Sequence, residues 1–208
     1  MSQKPAFADA AETWNRRYAG DGFLFGTEPN EWLRTYACEI PAQGRVLSVA
    51  DGEGRNSVWL ARQGFQVDAF DVADRAVEKA RAYARREGVS VNFAVTDCEG
   101  FTWAESAYDG VAAIFVQFAD PHARERLFER IVRSLRPGGV VLLQGYTPKQ
   151  LEYRTGGPPI LSHLYTQDLL RSAFAELSIV ELREYDAEIH EGQGHSGRSA
   201  LIGMVARR

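Results

Sequence analysis

From residue 45 onward the chain alternates between two hydrophobic rhythms. Short, nearly continuous apolar runs recur at 45–50, 66–71, 91–95, 109–115 and 139–145, the lengths expected of strands buried on both faces. Between them, apolar residues return every three or four positions, which predicts helices near 55–63, 74–87 and 121–135. Asp74 stands where it can cap the second helix, and Pro137-Gly138-Gly139 where they can close the third. This alternation predicts a parallel sheet covered by helices on both sides. The final third changes character. A loop rich in Gly and Pro (RTGGPP, 154–159) leads into a helix from about Thr166 to Ala175, and then two strand-like runs follow, LSIVELREYDAEI and SALIGMVARR. Joined by the polar EGQGHSG connection, they should pair antiparallel. Upstream, a short helix over 9–18 around Trp14 and a second from about Pro29 to Ala37 flank the turn-rich AGDGFLFGTEPN, with Pro29 suited to a helix start. The expected fold class is therefore α/β: a doubly wound, mostly parallel seven-stranded sheet with an antiparallel last strand.

Composition narrows the function classes. At 208 residues the chain suits one domain with no internal repeat, and 45% hydrophobic with 25% charged residues is ordinary for a globular protein. A net charge of -4, from 24 basic and 28 acidic residues, offers no general attraction to nucleic acid or to an anionic membrane surface. The expected partner is a small-molecule substrate, with a monomer or homodimer as the working unit. Cys38 and Cys98 are far apart and have no metal-ligand spacing, which fits a reducing compartment. The start of the chain, MSQKPAFADAAETWNRR, has no apolar leader core, and no apolar run is long enough for a membrane span, so the expected location is cytoplasmic.

The chemistry concentrates in RVLSVADGEGRN, where a strand runs into a glycine turn and a helix. Gly52 and Gly54 permit a tight turn against a ligand, and Asp71, at the end of the next strand, is placed to accept hydrogen bonds from ribose hydroxyls. Asp97-Cys98 follows the third strand, where an acid can accept from an adenine amino group. Two acids at successive strand ends converge on one crevice. A third glycine is missing, since Ser57 takes its place, so a pyrophosphate cradle is degraded. An NAD-linked oxidoreductase shares the turn and Asp71 and stands as the alternative, beside a non-catalytic nucleoside-binding protein.

The glycine motif, Asp71, Asp97, the YDGV strand entry, the LRPGG lead into strand five and the antiparallel last strand together resemble the class I S-adenosylmethionine-dependent methyltransferases. WNRRYAGDGFLFGTEPNEWL, DGEGRN, GYTPKQLEYRTGGPP and EGQGHSGRSALIG are similar to the group of tellurite-resistance and thiopurine methyltransferases. The resemblance implies S-adenosyl-L-methionine as cofactor, with Ala50 to Gly54 around its methionine part and Asp71 on the ribose. It implies Val72 beside the adenine, Asp97 and Cys98 capping the ring, and Phe115 on the cofactor's inner side. It further implies an N-terminal lid over 1–40, carrying Trp14, Phe25 and Gly26, above a core over 45–208. Ser48 stands where that family usually has an acid, and Ala50 replaces the first glycine; Asp51 can compensate by pairing with the cofactor ammonium. Asn56 either caps the helix or touches the cofactor. On the substrate side His195 is the candidate base and Arg198 a candidate anion ligand, with Tyr153 and Arg154 in the substrate wall. His190, Glu191 and His195 offer too few ligands for a metal. The implied activity is methyl transfer to a small molecule. A soft acceptor such as a thiol or chalcogen oxyanion needs little base assistance; an amine or hydroxyl would call on His195.

Overall fold

A computed structural model describes residues 10–192 and 194–208. The first residue of the expected 9–18 helix and the start of the expected lid lie outside the described residues. One sheet contains β1 (Arg45–Val49), β2 (Gln66–Asp71), β3 (Asn92–Val95), β4 (Tyr108–Ile114), β5 (Leu135–Tyr146), β6 (Ser178–Glu191) and β7 (His195–Arg207), in the order β3-β2-β1-β4-β5-β7-β6. The first five strands run parallel, and β7 is antiparallel to both of its neighbours. The helices are α1 (Ala10–Arg17), α2 (Glu31–Tyr36), α3 (Arg55–Arg62), α4 (Asp74–Arg86), α5 (Pro121–Ser134), α6 (Gln150–Tyr153) and α7 (Gln167–Ala173). None of the described helices is long and apolar enough to cross a membrane.

Strand side chains alternate between faces, so each central strand feeds two cores. Leu47, Val111, Val141 and Met204 pack under Phe128 and Ile131 from α5 and Phe174 at the end of α7. Their neighbours Val46, Ala112, Leu142 and Val205 meet Trp32, Leu33 and Leu60 from α2 and α3 on the opposite face. Burial on both sides explains why the predicted parallel strands read as continuous apolar runs.

Several expected details differ. Ala73, not Asp74, is the N-cap of α4, and Ala73 N–H donates to Asp71 Oδ1 at 2.9 Å. Pro29 precedes the true cap of α2, Asn30, whose Oδ1 accepts from Leu33 N at 3.1 Å. Pro137-Gly138-Gly139 do not close α5: Leu135 is already extended and pairs with Tyr108, and the register then shifts to Gly110 with Val140. β6 and β7 are longer than their apolar runs and leave only residues 192–194 between them. An edge ribbon needs only one buried face, so its polar residues still pair in the ladder.

The five parallel strands end along one edge, and the order reverses between β1 and β4. That reversal opens a crevice at the carboxyl ends of β1, β2 and β4.

Candidate active site

A cavity of about 170 Å³ occupies this crevice. Ala50, Asp51 and Gly52 form one side; Asp71, Val72, Asp97 and Cys98 form the second, after β2 and β3; Ile114 and Phe115 close the end of β4. Above them lie Trp14, Tyr18, Phe25, Gly26 and His195. Ala50 and Phe115 both have left-handed backbone, φ 49° and 56°, at the ends of β1 and β4. Such strain persists only where the surroundings enforce it, and here both instances face the cavity.

Asp51 is buried and is a hub within the turn. Its Oδ1 accepts from Ser48 Oγ at 2.6 Å and from Ser57 N at 3.2 Å, and Ser57 Oγ donates to its Oδ2. Burial pushes its pKa from 3.8 up to about 6 against these hydrogen bonds, with Asp71 adding repulsion. Ser48 therefore donates directly to the acid expected to compensate for it, Asp51. Asp71 is also buried, and burial raises its pKa while backbone N–H groups of Ala73, Gly52 and Val72 pull the other way. Its Oδ2 accepts from Gly52 N at 2.9 Å, so one carboxylate braces the glycine turn and the start of α4. A Cβ on Gly52 would stand 2.8 Å from Tyr18 Oη, which requires glycine there. Asp97 braces its own turn by accepting from Gly100 N at 2.7 Å, and burial raises the Cys98 thiol to about 12, so that thiol is no nucleophile at neutral pH.

The roof is fastened at two points. Lys79 of α4 donates to Gly20 O at 2.6 Å, Gly22 O at 2.8 Å and Glu53 Oε1 at 2.8 Å, while Glu53 Oε2 accepts from Leu24 N at 2.7 Å. On the other side the β6–β7 tip sits on the same segment, with Gly194 N donating to Leu24 O at 3.1 Å.

His195 opens β7 and pairs across the ribbon with Glu191. Its Nδ1 lies 3.3 Å from Glu191 Oε2, which also accepts from Arg55 Nη2 at 2.8 Å, and Glu191 Oε1 accepts from Asn30 Nδ2 at 2.9 Å. Burial works to raise Glu191, but His195 and Arg55 outweigh it and hold its pKa at about 2. Burial lowers the His195 pKa despite Glu191. The arrangement is a carboxylate that orients a neutral imidazole, with Phe25 and Phe115 ring centroids 4.5 and 4.6 Å from the imidazole.

The expected residues divide clearly. Trp14, Phe25, Gly26, Ala50, Asp51, Gly52, Asn56, Asp71, Val72, Asp97, Cys98, Phe115 and His195 all line the cavity. Gly54 does not: it packs against Ala80, where a Cβ would meet the Ala80 Cβ at 2.9 Å. Asn56 Oδ1 accepts from Asn30 N at 2.9 Å, so it ties α2 to α3 rather than capping its own helix. Arg198, three residues beyond His195 on one strand, faces the other way. There Arg198 and Tyr153 both reach Asp186, at 3.2 and 2.7 Å, alongside Lys149 at 2.6 Å. Arg154 is an exposed left-handed cap of α6. These three are surface residues outside the cavity. Glu53, inside the expected 50–54 turn, lines it too, and Tyr18 and Arg55 do so without having been expected to. For Glu191, which holds Arg55, the signal was the antiparallel pairing expected of the last two runs, and it stands opposite His195.

A family model described as a methyltransferase domain matches residues 46–139. The chain is 33% identical over 104 residues to the methyltransferase GfsG of Streptomyces halstedii, covering 49% of this chain and 37% of that protein. The chain thus spans little more than a third of the length of such curated relatives. Among solved structures, one from work on converting a disulfide bond into a thioacetal group during echinomycin biosynthesis aligns with TM-score 0.77 at 20% identity, over 96% of this chain and 93% of its own. The N-methyltransferase NodS of Bradyrhizobium japonicum WM9, solved with S-adenosyl-L-homocysteine, aligns with TM-score 0.70 at 16% identity, over 96% and 98%. The chain carries the Rossmann-like fold of the class I methyltransferases, and its match to the methyltransferase domain model runs from β1 into β5.

Proposed function

We propose that the protein is an S-adenosylmethionine-dependent methyltransferase acting on a small-molecule acceptor, with the N-terminal segment serving as lid to the α/β core. The carrying observation is the charge of the cavity. Its charged lining residues are Asp51, Glu53, Asp71, Asp97 and Arg55, and Arg55 is already paired with Glu191. Acids at strand ends with aromatic and aliphatic walls suit a nucleoside that carries ribose hydroxyls, an ammonium group and a sulfonium. The same site repels a diphosphate. Asp51 occupies the N-terminal end of α3, accepting from Ser57 N where a pyrophosphate would sit, which argues against the NAD-linked alternative.

S-adenosylmethionine, when bound, supplies a methyl group already activated on sulfur. The chain's own residues have three tasks. Asp71 and Asp51 fix the hydroxyl and ammonium ends of the nucleoside. Trp14, Phe25 and Phe115 exclude water, and His195, oriented by Glu191, takes a proton from the acceptor. The similarity to tellurite-resistance and thiopurine methyltransferases favours a soft acceptor, whereas a built carboxylate–imidazole pair favours one that needs deprotonation.

Calorimetric titration with S-adenosylmethionine, S-adenosylhomocysteine and NADH tests the reading. Both sulfur nucleosides should bind and NADH should not. At about 100 times its dissociation constant either nucleoside adds about 2.7 kcal/mol of stability, raising Tm by about 5 to 10 °C for a chain of this size. Tighter binding of NADH would overturn the proposal.

A further inference from the structure

The carboxylate that orients His195 is itself held from outside the cavity. Glu191 Oε1 accepts from Asn30 Nδ2 at 2.9 Å, and its Oε2 accepts from Arg55 Nη2 at 2.8 Å. Asn30 is 1% exposed and does not line the cavity. Its remaining bonds decide which way its amide points. A backbone N–H in the first turn of a helix can only donate, and that of Leu33 donates to Asn30 Oδ1 at 3.1 Å as the cap of α2. With the oxygen committed to the helix, the NH2 is turned to Glu191 and, at 2.6 Å, to Gln144 Oε1. Two hydrogens meet two acceptors.

Gln144 interrupts the apolar run of β5 at a position 2% exposed, and a buried amide there costs stability unless both of its ends are met. Both are met, because its Nε2 donates to Tyr185 Oη while Oε1 takes the Asn30 bond. A polar network so fully satisfied holds its members in one arrangement. At its inner end stands the imidazole. Glu191, with a pKa held at about 2, is ionised at neutral pH and can only accept. His195 Nδ1, 3.3 Å from Glu191 Oε2, must then carry the hydrogen, and Nε2 keeps the lone pair.

We propose that Asn30 is a positioning residue for the His195 base: its amide, oriented by the cap of α2, holds Glu191 so that His195 is fixed as the Nδ1–H tautomer with Nε2 as the basic nitrogen. The inference rests on the methyltransferase reading above and deepens it by naming the nitrogen that takes the proton. Arg55 cannot do this alone. It binds Oε2, the same oxygen that faces His195, and a carboxylate held at one oxygen can swing about that contact; the Asn30 bond at Oε1 stops the swing.

The test is nitrogen NMR of unliganded protein labelled at histidine, at mildly alkaline pH, where ring-nitrogen shifts tell N–H from bare nitrogen. Loss of signals in His195→Gln assigns them. Two variants separate positioning from capping: Asn30→Ser keeps an oxygen for Leu33 N but has no NH2 for Glu191, and Asn30→Ala loses the cap as well. The alanine variant should melt about 2 to 4 °C below the serine variant. The ratio of Nδ1–H to Nε2–H at His195 should nevertheless fall about tenfold in both, and both should bind S-adenosylhomocysteine as wild type does. The proposal is overturned if wild-type His195 carries its hydrogen on Nε2, if the ratio holds in both variants, if it falls in step with Tm rather than equally, or if either variant loses nucleoside affinity. Failure of S-adenosylhomocysteine to bind the wild type overturns the methyltransferase reading instead, and the tautomer, measured without it, stands apart from that failure.

Discussion

Asp51 shows how one side chain can work against the fold that holds it. In an unfolded chain it ionises near 3.8, and in the folded protein near 6. Between those values the native state keeps a proton that the unfolded state has released, so rising pH removes stability across this window. The loss reaches about 3 kcal/mol by neutral pH, the full width of the shift. Asp51→Asn should therefore be more stable than wild type at pH 7.5, by about 1 to 3 kcal/mol, and its stability should fall less than that of wild type between pH 4 and 6, the buried Asp71 keeping its own share. The amide oxygen can keep Ser48 Oγ and Ser57 N, while the Ser57 hydroxyl accepts from the new NH2 and donates to Gly54 O, 3.3 Å away. Affinity for S-adenosylmethionine should fall with the loss of the carboxylate. Scanning calorimetry across pH checks the first statement, and superimposable Tm profiles for the two proteins would show that Asp51 carries no such cost. Sequence alone could nominate Asp51 because Ser48 and Ala50 break the usual pattern around it. It could not show Asp51 tied to Ser48 and Ser57, nor Arg55 joined to Glu191 across 136 positions. Contacts of that separation exist only once the sheet order is known.

Among the elements, the roof depends on one lysine. Lys79 Nζ joins two backbone carbonyls of the 19–26 segment to Glu53, whose side chain is only 3% exposed. Lys79→Met leaves that carboxylate buried without its cation, a loss of about 3 kcal/mol. Adding Glu53→Gln should restore most of it, because the amide oxygen can still accept from Leu24 N. Denaturant titration measures both changes, and limited proteolysis between residues 19 and 26 should be fastest in the single variant. Equal stability of the single and double variants would mean that the pair does not fasten the roof. The five parallel strands and the helices between them were legible because full burial writes itself as apolar runs and 3.6-residue periodicity. α6 has four residues, too few to show any period, and the outer ribbon hid its last pairs in polar residues of the connection, with Glu191 opposite His195 and His190 opposite Ser196.

Across the whole molecule, the cavity is closed by parts that are remote in sequence: α1 and the 19–26 segment from one end of the chain, the β6–β7 tip from the other, and the strand ends between. The closure is thin. Lys79 Nζ to Gly20 O and Gly22 O, Leu24 N to Glu53 and Gly194 N to Leu24 O at 3.1 Å hold it, whereas the strands beneath lie in two continuous cores. Amides in the roof should accordingly exchange with solvent through local opening, and those of β1, β4 and β5 through larger unfolding. If a nucleoside binds only under the closed roof, each opening must wait for its release. At about 100 times the dissociation constant, exchange over residues 18–26 and 191–197 should then slow by about a hundredfold. Locally opening amides on the exposed face of α5 and the outer edge of β6, away from the cavity, should keep their rates. Hydrogen exchange read by mass spectrometry with and without S-adenosylhomocysteine separates the two cases. Slowing confined to the turns after β1 and β2, with the roof unchanged, would mean that the ligand is held by the strand ends alone and that the N-terminal segment does not act as a lid.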